Sequence, residues 1–260
     1  VLEMEWNALP LGGLYTAAIW LGAVLTSFGR LAVWRLPHQL GWRADADSTL
    51  SLCSPPSHCD HCSRPIRWLH LIPVLGWYLA RGRCPACGAG VSVWHPLLEL
   101  TGGLGWLLAL AWFGFSAEGL AACLLWQVML FLAEIDWREH WLPAVVTMPL
   151  FWVGLLLSPF EPQMEERAWG GFAGFALMWF SMALVGRWRK MDAMAGGDIA
   201  LCAVAGAWLG FGRMPIFLLL SAVLFCLLAW PARRRGQAMA PMGPALAAGL
   251  LFCLALPPLF

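Results

Sequence analysis

An all-α polytopic membrane protein, with about eight transmembrane helices and a cytoplasmic zinc-binding loop, is the fold class this sequence predicts. Three observations predict it. Of 260 residues, 60% are hydrophobic and only 12% are charged, too little charge to cover a soluble surface. Apolar stretches of about 20 residues recur, long enough to cross a bilayer's hydrocarbon core. One polar segment, residues 36–95, interrupts them and is rich in Cys, Pro and Arg. The mean hydropathy of +0.69 agrees, and 18 Trp suit membrane interfaces. The lipid bilayer is therefore the first partner. A net charge of +1 argues against nucleic acid as the main partner.

Eight spans follow in order: about 11–34, 96–115, 119–135, 142–159, 169–186, 198–212, 214–230 and 240–258. Each is an apolar run bounded by charged or turn-forming residues. The sixth is short and ends at the turn-forming "GFGRMP". The chain divides into a first span (1–35), a cysteine-rich loop (36–95) and a second membrane region (96–260). The opening "VLEMEWNALP" is acidic, unlike the basic start of a cleavable signal. Orientation follows from Lys and Arg. With the N-terminus outside, fourteen of the 16 basic residues face the cytoplasm, and only Arg167 and Arg213 do not. Loop 36–95 then faces the cytoplasm.

That loop carries Cys59, Cys62, Cys84 and Cys87 in the pattern C-x2-C-x21-C-x2-C. Two CxxC turns supply four thiolates to one tetrahedral zinc. Four thiolates leave no open coordination position, so the zinc is structural. It folds a loop too small for its own core. Structural disulfides are the alternative, disfavoured in a reducing cytoplasm. His58 and His61 flank the first turn and read as solvated loop residues. Cys123, Cys202, Cys226 and Cys253 stand singly in apolar runs and read as small hydrophobes.

Carboxylates at span ends are few, and each is costly near hydrocarbon. They are Glu99, Glu134, Asp136 and Asp198. Asp136 closes the third span and Asp198 opens the sixth, so both sit at one membrane face. Paired carboxyls in a dry site resist double ionisation, and one keeps a proton. The ionised partner draws a proton from water while the protonated one polarises a peptide carbonyl. Gly196 and Gly197, beside Asp198, give a substrate backbone access. Spacing alone leaves simpler readings open. Asp198 could be a helix N-cap, and Asp136 an interfacial charge beside Arg138. Glu99 reads as a first-turn acid favoured by the helix dipole, and Glu134 as an interface residue.

These residues resemble one family over nearly the whole chain: the type IV prepilin peptidases, bifunctional leader peptidases and N-methyltransferases. "SFGRLAVWRLP" (27–37), the cysteine segment with its I-P-V-L-x-W centre, and "PLLEL" (96–100) are similar to family segments. So are "IDWREHWLP" (135–143), "AGGDIALCAVAGAWLG" (195–210) and "PMGPALAAG" (241–249). The resemblance implies catalytic aspartates at Asp136 and Asp198. It also implies cleavage of type IV prepilin or type II secretion pseudopilin leaders at the cytoplasmic face of a bacterial inner membrane. Methylation of the new N-terminus with S-adenosylmethionine is implied by the resemblance only, with no residue assigned to that cofactor. The chain departs from the pattern at Ala195, Ala200, Arg138, Ala144 and Arg30. Two rival functions remain: a non-catalytic membrane assembly factor docking a partner through its zinc loop, and a transporter relaying protons through the two aspartates.

Overall fold

The computed structural model describes residues 11–47, 49–190, 194–236 and 240–256. They form two compact helical units, dividing between Phe115 and Ser116.

In the first unit, α1 (Leu11–Gln39) packs against α3 (Trp94–Phe113). Small residues let their backbones touch, as membrane helices require in the absence of a hydrophobic drive. A Cβ on Gly22 would stand 2.7 Å from the Gly102 carbonyl oxygen, and one on Gly103 equally close to that of Ile19. Thr26 satisfies its own hydroxyl by donating to Gly22 O at 2.8 Å. α1 runs on through Pro37, five residues past its expected end. Arg30, near that end, donates from Nη1 to Trp94 O at 2.9 Å and pins the start of α3 to α1.

The intervening loop contains a 3-10 turn (Trp68–Leu71), the short α2 (Leu75–Leu79) and isolated β-bridges. It is organised around fixed polar groups. Arg35 is buried and donates to Ser51 O (2.8 Å) and Pro55 O (2.6 Å), so the chain wraps its guanidinium. Val74 has φ 63° and ψ −57°, and Leu75 N–H donates to Pro73 O at 2.6 Å. This is a γ-turn of the strained, positive-φ kind. Glu99 holds it, accepting Val74 N–H at 2.7 Å. α3 begins at Trp94, which puts Glu99 in the second helical turn, so the first-turn reading of Glu99 is corrected. We expect Glu99→Ala to leave the half-buried Val74 N–H without its acceptor, loosening this turn by about 1 kcal/mol. Faster amide exchange across residues 72–79 would register it, and unchanged exchange would exclude the anchor.

The second unit holds α4 (Ala117–Glu139), α5 (Ala144–Leu157), α6 (Met164–Arg189), α7 (Gly196–Leu209), α8 (Met214–Arg234) and α9 (Gly243–Leu254). α7 is its centre. Every residue from Leu201 to Leu209 is buried, and α5, α6 and α9 pack on it. A helix apolar all round must be enclosed in this way. Glycines permit the close approach to α6. Gly170 and Gly206 each lie against the other's carbonyl oxygen, and Gly174 lies against that of Cys202. Cys123, Cys202 and Cys253 are buried as expected of small hydrophobes, whereas Cys226 is exposed. Ser158 donates to Trp208 O at 2.7 Å and Trp208 Nε1 to Leu150 O at 3.0 Å, closing the end of α7 remote from Asp198.

Five helices, α1, α3, α4, α6 and α8, are long and apolar enough to cross a membrane. The other three apolar helices, α5, α7 and α9, have 14, 14 and 12 residues. At 1.5 Å per residue they reach only about 20 Å, short of a ~30 Å hydrocarbon core. Among the described residues, each of the eight expected runs contains a helix, and five of those helices have spanning length.

Candidate active site

Asp136 lies in the last turn of α4 and is 6% exposed. The helix stops because His140 takes the left-handed conformation (φ 49°) and returns its N–H to Asp136 O at 2.9 Å. The Asp136 carboxylate oxygen Oδ2 accepts the Gly243 backbone N–H at 2.7 Å. Any Cβ at Gly243 would fall 2.7 Å from that same oxygen, so the start of α9 must be bare here.

Asp198 is the third residue of α7. The N-cap is Ala195, with an ordinary φ of −99°, so the N-cap reading of Asp198 is corrected. Ala195 needs no glycine for its backbone. The Asp198 side chain is not spent on capping, and its Oδ1 is buried without a hydrogen-bond partner among the described residues. The positive end of the helix dipole surrounds it. The two glycines before it differ. A Cβ on Gly197 would press 2.7 Å from Leu142 Cβ, whereas Gly196 faces open space. Gly197 therefore lets the start of α7 settle on the segment just after α4.

These contacts converge. The end of α4, the segment through Leu142, the start of α7 and the start of α9 meet at one end of the second unit. There the Asp136 and Asp198 carboxyls come within electrostatic reach of each other. Arg138 is not the partner of Asp136. It pairs with Glu134 at 2.8 Å, one helical turn away.

In the first unit, the four sulfurs of Cys59, Cys62, Cys84 and Cys87 lie within 4.8 Å of one another. Cys59 and Cys87 are 3.8 Å apart, and Cys62 and Cys84 are 4.0 Å apart. Thiolates at 2.3 Å from a tetrahedral zinc stand about 3.8 Å from each other, so the donor set fits that ion. The two knuckles have the same build. Cys59 N–H donates to Arg64 O (3.0 Å) and Ser63 N–H to Cys59 O (2.8 Å). Cys84 N–H donates to Ala89 O (2.7 Å) and Gly88 N–H to Cys84 O (2.8 Å). Each turn ends on a positive-φ residue, Ser63 or Gly88. The Cys87 and Ala86 N–H groups lower the Cys84 thiol to about 6. Cys87 is also lowered by a backbone donor, Ala89, yet burial and the other thiols prevail and hold it at about 11. The turn thus presents one ready thiolate to an incoming metal. His58 Nδ1 is engaged by Pro56 O at 3.0 Å, outside the cluster.

Sequence reasoning missed the Gly243 N–H at Asp136, because a backbone donor leaves no side-chain signature. The glycine in "PMGPALAAG" was the available signal.

Comparison with known proteins adds independent findings. Residues 20–113 match the model of the Bacterial Peptidase A24 N-terminal domain, and residues 123–230 that of the Type IV leader peptidase family. A Burkholderia pseudomallei (strain 1026b) protein named prepilin leader peptidase/N-methyltransferase is 35% identical, over 93% of this chain and 85% of its own length. A protein of the same name from Dickeya chrysanthemi is also 35% identical, covering 89% of this chain and 88% of itself. One from Neisseria gonorrhoeae is 30% identical over 87% and 85%. No solved structure matches the chain.

Proposed function

The chain belongs to the type IV leader peptidase family, and from that premise we propose that it cleaves the leader peptide of type IV prepilins and then methylates the new N-terminus. Pseudopilins of type II secretion share the substrate class. The observation that carries the reading is the meeting of Asp136 and Asp198 at one end of the helical unit.

The chemistry needs only these two groups and a water. The Gly243 N–H supports negative charge on Asp136, so Asp136 is the carboxylate that takes a proton from water. Asp198, whose Oδ1 has no donor, carries the proton and gives it to the scissile carbonyl oxygen as the water oxygen bonds to carbon. Collapse of the tetrahedral species breaks the C–N bond: the leaving amine takes the proton from Asp136, one diol hydroxyl returns its proton to Asp198, and the leader leaves with a new carboxyl group while the pair is restored to its starting state. Open space beside Gly196 admits the substrate backbone, and Gly197 keeps the start of α7 against Leu142. S-adenosylmethionine supplies the methyl group for the second activity. Cys59, Cys62, Cys84 and Cys87 hold a structural zinc.

The site faces the cytoplasm of a bacterial inner membrane. Within the second unit, Arg138, Arg187 and Arg233 to Arg235 lie toward the end that holds Asp136, and Arg167 and Arg213 toward the other. That asymmetry supports an orientation with the Asp136 end inside.

Incubating purified protein with a prepilin, with and without S-adenosylmethionine, tests both activities. Leader loss in both samples, with one added methyl only when the cofactor is present, is expected. An intact prepilin would overturn the proposal. We also expect Gly243→Ala to push the Asp136 carboxylate aside. A displacement near 1 Å costs roughly 10²-fold in kcat with little change in KM. Unchanged kcat would remove Gly243 from the site.

A further inference from the structure

The segment between the two knuckles has a surface that neither the metal nor the carboxylates employ. Residues 64–83, "RPIRWLHLIPVLGWYLARGR", contain Arg64, Arg67, Arg81 and Arg83 and no carboxylate. All four arginines are exposed. Interleaved with them are large apolar side chains left uncovered: Trp68 (72% exposed), Tyr78 (64%) and Leu79 (62%), with Ile66, Leu69 and Leu75. A water-facing module rarely leaves so much apolar surface bare.

Its tether fixes where this surface lies. Both ends of the loop continue into helices of spanning length, α1 and α3, and the Arg30–Trp94 bond holds those two span ends together. The tether keeps the module close to the bilayer face at which α1 ends. A cleft of about 640 Å³ opens beside the second knuckle, among His70, Leu79, Ala80, Arg81, Arg83 and Cys84. It offers two guanidiniums, an apolar wall and the edge of an imidazole. Four thiolates on zinc carry a formal charge of −2, which the nearby arginines partly offset. A guanidinium has five donors, so Arg81 and Arg83 can serve a second anion as well.

Guanidiniums and adjoining aromatic and aliphatic surface together match a phosphodiester that carries acyl chains. We propose that residues 64–83 form a lipid-docking surface whose cleft binds an anionic phospholipid headgroup. Arg81 and Arg83 take the phosphate, and Trp68, Tyr78 and Leu79 sink into the interface. The occupant is a lipid of the bilayer face at which α1 ends.

Hydrogen exchange on the full, zinc-loaded chain in nanodiscs tests this. In discs containing phosphatidylglycerol, amides of residues 66–80 exchange roughly tenfold more slowly than in pure phosphatidylcholine, and high salt shrinks the difference. The Arg81→Gln/Arg83→Gln variant keeps its zinc and loses most of that protection, whereas Trp68→Ser lowers protection in both lipids. Equal exchange in the two lipids overturns the proposal. So does protection that survives the double arginine variant at full zinc content. Protection produced in phosphatidylcholine discs by inorganic phosphate alone would assign the cleft to a soluble anion. Protection that requires two protein copies per disc would assign the surface to a second chain. Either result also overturns the lipid assignment.

Discussion

Purified Asp136→Asn or Asp198→Asn protein inserts, packs and retains zinc, but leader cleavage falls by at least about 10³-fold. Asparagine matches aspartate in size. Its side-chain oxygen can still accept the Gly243 N–H that Asp136 accepts at 2.7 Å, so the α4–α9 contact survives. What it cannot do is exchange a proton. With Asn at 136, nothing takes the proton from water. With Asn at 198, nothing gives one to the carbonyl oxygen. Prepilin binding, read by co-purification, should persist in both variants, which separates lost chemistry from lost structure. Normal processing by either variant would end the paired-carboxylate account. A non-catalytic assembly role for the chain would then gain ground, since that role needs neither carboxyl.

Replacing any one of Cys59, Cys62, Cys84 and Cys87 by Ser, or stripping metal with a chelator, unfolds the loop between α1 and α3. Structural zinc in small modules contributes about 10–16 kcal/mol at neutral pH, far more than a loop of this size can gain from packing. The loop's exposed Trp68, Tyr78 and Leu79 show how little of its apolar surface its own interior absorbs. Metal analysis should fall from one zinc per chain to none, and limited proteolysis should cut within 49–93. Helix content elsewhere should hold, because α1 and α3 meet through Gly22, Gly102 and Gly103 without the loop. Full zinc occupancy in the Cys84→Ser protein would refute the tetrad.

The helices were legible because apolar runs and isolated charges are strong signals. Their ends were less so. Composition marks where a run stays apolar, but the backbone turns where local geometry directs it: at His140 in the left-handed region, and at Gly210 with φ 77°. α7 therefore stops at Leu209, three residues before its apolar run does. A start two residues earlier for α3 moved Glu99 from a dipole-stabilising position to one that anchors Val74. The aspartates stood out as rare charges at span ends, and the cysteines through their spacing. The Gly243 donor and the Arg35 carbonyl cage did not, because each depends on backbone groups brought from distant sequence.

The central claim is that Asp136 and Asp198 act on one water and one carbonyl as a unit. Single-turnover cleavage rates for Asp136→Asn, Asp198→Asn and the double variant test it most directly. The account predicts that the double variant is no slower than either single one, because removing one carboxyl already abolishes the shared step. A double variant slowed by the product of two partial single effects would mean that the carboxyls work independently, and would contradict it.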